Sequence, residues 1–312
     1  MNRIKLTLLA LLFSTLGFSQ SKIATEEVLL KNDSIQLPGT LTYTKSEDPQ
    51  PLVIFIHGSG NVDRNGNQAG LSNANYIKQL SDSLTLRNIA FYRYDKRTAT
   101  PSNIKFIMKA LYFEKFVEDA ELAIKHFKDD KRFSNITLIG HSQGSLIAML
   151  ASKKNIDKYI SLAGPAKAID VSIVKQIKLQ NGDSLATIVK AHFKELRETG
   201  AIKNVDPNLL SLFNAPNLPF IKSWMAYNPA EEIKKLKIPV LIVNGTKDLQ
   251  VFENDAKTLH AAKTKSKLIM IENMNHVLKT IINNADNKKS YSAPDFPLSK
   301  KLITVLTEFI KK

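Results

Sequence analysis

Gly140-His141-Ser142-Gln143-Gly144 is the stretch on which the reading of this chain turns. Just before it runs Ile136-Thr137-Leu138-Ile139, apolar and of strand length, and just after it residues 146–151 suit a helix packed on that strand. A serine held between strand and helix must occupy a sharp, strained turn. The glycines two before and two after it remove side chains that would collide there. Such a turn lifts the hydroxyl out of the sheet. It also sets a helix N-terminus, with its unpaired N–H groups, beneath any negative charge that develops on an attacked carbonyl.

Working outward, the same alternation continues on both sides. Toward the N-terminus, residues 52–56 are an unbroken apolar run, as in a strand buried on both faces, and His57-Gly58-Ser59-Gly60 closes it. Ile77, Leu80 and Leu84 predict a helix over 76–86, residues 89–94 a strand, and Val117, Ala120, Ala123, Ile124 and Phe127 a helix over 116–127. Residues 26–31 and 34–44 predict two strands around an Asn32-Asp33 turn, with Ile35, Leu37, Leu41 and Tyr43 on one face and Pro38-Gly39 marking a bulge or kink. Toward the C-terminus come strands at 159–162, 240–243 and 268–271, a helix at 256–262 and an amphipathic helix at 302–310. Strands alternating with helices imply an α/β fold whose mostly parallel sheet is covered on both faces. Residues 165–235 break the pattern. They carry helical stretches at 171–179 and 184–196, an Asn- and Pro-rich loop at 204–219, and the single tryptophan, Trp224. We read them as a helical lid inserted over the carboxyl edge of the sheet, between core segments 20–164 and 236–312.

Residues 1–19 stand apart. Arg3 and Lys5 precede an apolar run at 6–16, and Gly17-Phe18-Ser19 offers small residues for cleavage before Gln20, the layout of a secretory signal peptide. The competing reading, a membrane anchor, needs a longer apolar run. A secreted or periplasmic location is the expectation. The chain has no cysteine, which excludes disulfides, thiolate metal sites and a lipid anchor on cysteine. Its net charge is +15, and losing Arg3 and Lys5 leaves +13. The basic residues are mostly lysines spread along the chain, densest at Lys153-Lys154, Lys234-Lys235 and Lys288-Lys289, without the aromatic and arginine interleaving of a nucleic-acid reader. A polyanion-binding module therefore rests on charge alone, and a solvated lysine surface is the plainer reading.

A serine hydroxyl attacks at neutral pH only with a base in hydrogen-bond reach and an acid to orient that base. In a strand–serine–helix architecture the chain order is serine, acid, histidine. After residue 200 only His260 and His276 remain. His260 falls in a helical stretch, whereas His276 sits in Asn273-Met274-Asn275-His276, a polar loop after a strand. Asp248 ends the loop after the 240–243 strand and is the expected acid, with Glu253, Asp255 and Glu272 as competitors. The oxyanion donors are expected to be the N–H groups of Gln143 and Ser59, with Gly58 the near alternative to Ser59. His57 is read as a residue that pins its loop. His141, Arg64 and Trp224 are candidate substrate contacts. No metal or organic cofactor is needed for this chemistry.

Four stretches in order carry a family resemblance. They are His57-Gly58-Ser59-Gly60 followed by Asp63-Arg64-Asn65-Gly66-Asn67, Tyr92-Arg93-Tyr94-Asp95-Lys96-Arg97, the Gly140–Gly144 turn, and the Asp248 and His276 pair. On these the chain resembles the α/β-hydrolase superfamily, and within it the bacterial esterase, acyl-hydrolase and serine-aminopeptidase-like branch. One departure is Thr98-Ala99-Thr100 where the family usually carries Gly-x-Gly. The resemblance implies carboxylic-ester cleavage through an acyl-enzyme on Ser142, with short-peptide hydrolysis as the alternative. It implies a small-molecule partner, with neither nucleic acid nor stable membrane insertion, and leaves the oligomeric state open. A non-catalytic exported binding protein is the rival from another class. It would keep the scaffold and lose a triad member.

Overall fold

The computed structural model describes residues 23–108, 111–152 and 156–312. The leader segment and the Lys153-Lys154 pair lie outside the described residues. In chain order the elements are β1 (Ile23–Asn32), β2 (Ile35–Thr44), β3 (Gln50–Ile56), α1 (Tyr76–Thr85), β4 (Ala90–Tyr94), α2 (Ile104–Ile107), α3 (Glu114–Phe127), β5 (Phe133–His141), α4 (Gln143–Ala151), β6 (Lys158–Leu162), α5 (Ile169–Asn181), α6 (Asp183–Thr199), α7 (Leu210–Phe213), α8 (Leu218–Trp224), α9 (Pro229–Lys234), β7 (Val240–Gly245), α10 (Glu253–Ala262), β8 (Lys267–Ile271), α11 (Asp286–Lys289) and α12 (Lys300–Lys311). The strands form one sheet in the order β1-β2-β4-β3-β5-β6-β7-β8. The β1–β2 and β2–β4 pairs are antiparallel, and β3 to β8 run parallel to one another.

Side-chain alternation explains why the central strands are apolar throughout. Leu52, Ile54 and Ile56 of β3 point into one core with α3, α4 and α10, while Val53 and Phe55 point into the other with α1 and α12. Ile139 joins the second core and Leu138 the first, so β5 is anchored from both faces right up to Gly140. Helix α4 is buried along its whole length, and this fixes the direction in which its N-terminus points.

Two local expectations change. The register of β1 against β2 runs unbroken through Leu29↔Pro38 and Val28↔Gly39, so no bulge forms there. Gly39 answers a different need: a Cβ on it would lie 2.4 Å from the Tyr92 hydroxyl. The stretch at 204–219 is also not plain loop. Pro207–Leu209 and Ala215–Asn217 are short 3-10 turns flanking α7. Asp206 and Asn214 are their caps, accepting from the N–H groups of Asn208 and Asn217. Asn, Asp and Pro here mark helix starts rather than their absence. The helices of 169–234 gather a separate small core of Val189, Phe193, Leu196, Leu209, Phe213 and Ile221. Among the described residues no helix is long and apolar enough to cross a membrane.

Candidate active site

The parallel strands deliver their loops to one edge of the sheet. At the end of β5, Ser142 sits at φ 54° and ψ −122°, a backbone strain of about 1–3 kcal/mol that the surrounding packing must hold. The two flanking glycines are required by backbone, not by flexibility. A Cβ on Gly140 would lie 2.3 Å from the Gly144 carbonyl oxygen, and one on Gly144 would lie 2.2 Å from that of Ile56. The turn is thus wedged directly against β3 and the loop after it. Ser142 N–H donates to Leu162 O at 2.9 Å, tying the turn to β6 as well. Ser142 itself is only partly buried, so its hydroxyl can be reached.

The sequence-predicted acid and base meet. His276 Nδ1 donates to Asp248 Oδ2 at 2.8 Å, with both side chains almost fully buried. The other carboxylate oxygen, Oδ1, accepts from the N–H groups of Gln250 (2.7 Å) and Val251 (2.9 Å), so the whole carboxylate is locked. This pairing places the proton on His276 Nδ1 and leaves Nε2 as the basic nitrogen. The competing acids lie elsewhere. Asp255 accepts from Ala166 N–H, and Glu253 pairs with Lys257. His260 donates to or accepts from Ser266 near the far end of α10.

Ser142 and His276 line one cavity of about 360 Å³, together with Gly58, Ser59, Gln68, Tyr76, His141, Gln250, Lys288 and Tyr291. Its walls come from the loop after β3 and the segment between β8 and α12, both polar. Ser59 is exposed on this wall. Gly58 packs behind it, so close that a Cβ there would lie 3.2 Å from Ser142 Cβ. Gln143 opens α4 directly beneath the serine.

Of the three candidate substrate contacts, His141 lines the cavity, and Arg64 and Trp224 do not. His141 is buried with both ring nitrogens engaged: Nε2–H donates to the His276 carbonyl at 2.8 Å, and Nδ1 accepts from the Tyr76 hydroxyl at 3.2 Å. Burial, with His276 alongside, holds its pKa down at about 3, so it is a neutral strut for the His276 loop. Arg64 turns away from the cavity. Its guanidinium spans both oxygens of Asp95 and reaches Glu27 and Thr40, which ties the loop after β3 to β1 and β2. Trp224 stacks flat on Phe113 at 5.3 Å within the main core and does not reach the cavity. The neighbouring Asp63 caps its own loop, accepting from Asn65 and Asn67 N–H. His57 is buried, edge-on to Tyr94, and burial followed by the nearby Lys96 charge holds it at about pKa 3.

Sequence reading missed several supports. Asn275 braces the His276 loop by accepting from Lys279 N–H and donating to Asn287 and Ser290. Lys96, buried, donates to Gly58 O and Gln143 Oε1, both at 2.7 Å. The stretch containing Lys96 stood out in the sequence, but a lysine in a motif carries no sign of which way it points.

The BD-FAE family model matches residues 41–262, a span holding Ser142 and Asp248 but ending before His276. Esterase EstD of Thermotoga maritima is 29% identical over 248 residues, covering 78% of this chain; the chain spans 58% of that relative's length. Among solved structures, Est1E from Butyrivibrio proteoclasticus with bound ferulic acid superimposes with a TM-score of 0.57 at 19% identity, covering 91% of this chain and 96% of that one. The Pyrococcus furiosus esterase Pf2001 gives 0.58 at 15% identity, covering 93% and 91%. At these identities the structural likeness speaks for the fold.

Proposed function

The chain belongs to the BD-FAE family, within the α/β-hydrolase superfamily, and from that premise we propose that it is a serine hydrolase of small carboxylic esters. The observation that carries the reading is a strained serine at the strand–helix turn sharing one cavity with a histidine whose far nitrogen is held by a buried carboxylate. The relative from Thermotoga maritima bears an esterase name, which supports the choice of an ester over an amide.

In this reading His276 Nε2 takes the Ser142 proton as Oγ attacks the ester carbonyl. Asp248 steadies the imidazolium and keeps its ring in place. The oxygen that turns negative is received by the N–H groups of Gln143 and Ser59. His276 then gives its proton to the departing alkoxide, and a water activated by the same nitrogen releases the acid from Ser142. Every proton is returned, so the enzyme ends as it began. The cavity's size and its hydrogen-bonding walls suit a short or polar acyl group rather than a long alkyl chain.

The test is turnover of p-nitrophenyl acetate by purified Ser142→Ala. Loss of turnover with an unchanged circular dichroism spectrum is expected; retained turnover rejects the assignment. Export is part of the same proposal and rests on residues 1–19. Its check is the N-terminal sequence of protein recovered outside the cytoplasm, expected to begin at Gln20.

A further inference from the structure

Lys96 follows β4 and is 4% exposed, yet its ammonium faces no carboxylate within ion-pair distance among the described residues. Its partners are two neutral oxygens, Gly58 O and Gln143 Oε1, each at 2.7 Å, and the face of Phe116, whose centroid lies 4.7 Å away. A buried cation held only by neutral groups is costly and calls for an account. The acidic residue nearby, Asp119, is taken up by Arg97 through two hydrogen bonds.

The two oxygens belong to the two residues that flank the oxyanion site. Gly58 O is the carbonyl of the peptide unit whose N–H is that of Ser59. In a trans peptide those two groups point to opposite sides of one plane. A donor fixed on Gly58 O therefore turns Ser59 N–H the other way, and it draws electron density through the peptide, making that N–H a stronger donor. Gln143 is the residue whose own N–H is the second donor. One ammonium thus ties the loop after β3 to the first turn of α4.

We propose that Lys96 is a positioning residue of the oxyanion hole, holding the Ser59 and Gln143 N–H groups at a fixed separation by bonding Gly58 O and Gln143 Oε1 together. The inference rests on the serine-hydrolase reading above. It adds a rigid strut to a site whose two donors come from different loops, and preorganised donors are what make such a site effective. Burial depresses the Lys96 pKa to about 7, so negative charge arriving on the substrate oxygen favours its protonated form.

The experiment compares wild type, Lys96→Met and Gln143→Met on p-nitrophenyl acetate, with active sites counted by fluorophosphonate titration. For Lys96→Met, kcat per titrated site is expected to fall about 10- to 100-fold with KM within about twofold, because the hole serves the transition state and not the ground state. Inhibition by phenylboronic acid, whose serine adduct places an oxygen in the hole, should weaken in parallel. A kcat within twofold of wild type, or a change confined to KM, overturns the proposal. Should Lys96→Met fail to fold, Gln143→Met decides. It keeps the Gln143 N–H while cutting one end of the strut, and a kcat lowered several-fold at constant KM is expected; an unchanged kcat overturns the proposal. Ser142→Ala in the same assay separates the two claims, since its retained turnover would remove the hydrolase reading itself.

Discussion

At the scale of the residue, the site is governed by what has no room to be anything else. Gly144 shows this most directly: any side chain would enter the Ile56 carbonyl at 2.2 Å, so β3 and the serine turn must separate or the turn must unwind. Gly144→Ala is expected to cost about 3 kcal/mol or more, read as a drop in the midpoint of urea unfolding, with turnover falling alongside. Asp248 makes the opposite kind of statement, since its two oxygens are fully used: one by His276 and the other by the Gln250 and Val251 N–H groups. Asp248→Asn keeps the shape and reverses the donor at the histidine, so kcat is expected to fall on the order of 10,000-fold with KM little changed. Steady-state kinetics at saturating ester will check it.

At the scale of the element, the segment between β6 and β7 has its own small core and joins the main core through Trp224 of α8 and Ile233 of α9. Trp224 stacks on Phe113, and the neighbouring Ser223 hydroxyl accepts from Phe113 N–H at 2.8 Å. Trp224→Ala should therefore destabilise the protein by about 3–5 kcal/mol while leaving kcat/KM per active site within about threefold. A selective rise in KM would instead restore the tryptophan as a substrate contact. The β1–β2 hairpin is joined to the loop after β3 in a similar way, through the fork of Arg64 on Asp95 and its reach to Glu27. Arg64→Ala is expected to lose roughly 1.5–3 kcal/mol of stability, visible in thermal unfolding. Asn275 and His141 show why loop residues next to a motif often serve the motif's partner: both hold the His276 loop from behind.

At the scale of the whole molecule, two apolar cores on opposite faces of one sheet hold the loops at its carboxyl edge in register, and two neutral histidines are buried where those loops meet. His57 and His141 both have folded pKa values near 3, below the ordinary value of 6.5. Between about pH 3 and 6.5 the unfolded chain then binds up to two protons that the folded one does not. Their contribution to stability is intact above about pH 6.5 and lost as pH falls toward 3, by about 1.4 kcal/mol per pH unit for each histidine. Urea unfolding across that window should show the decline, and a flat profile would mean that these rings protonate in the folded state. The amino-acid sequence determined the alternation of strands and helices and the strained serine turn, because each of these is a local pattern of apolar spacing or a short motif with its own steric logic. The tertiary structure alone decided that Arg64 turns to Asp95 and Glu27, Trp224 to Phe113, and His141 to the back of the His276 loop. It also decided that the cavity is walled by the loop after β3 and the segment before α12, and that a lysine just past the end of β4 reaches both Gly58 O and Gln143 Oε1. Those outcomes depend on which side chains converge from distant positions, and a chain carries no local record of its distant neighbours.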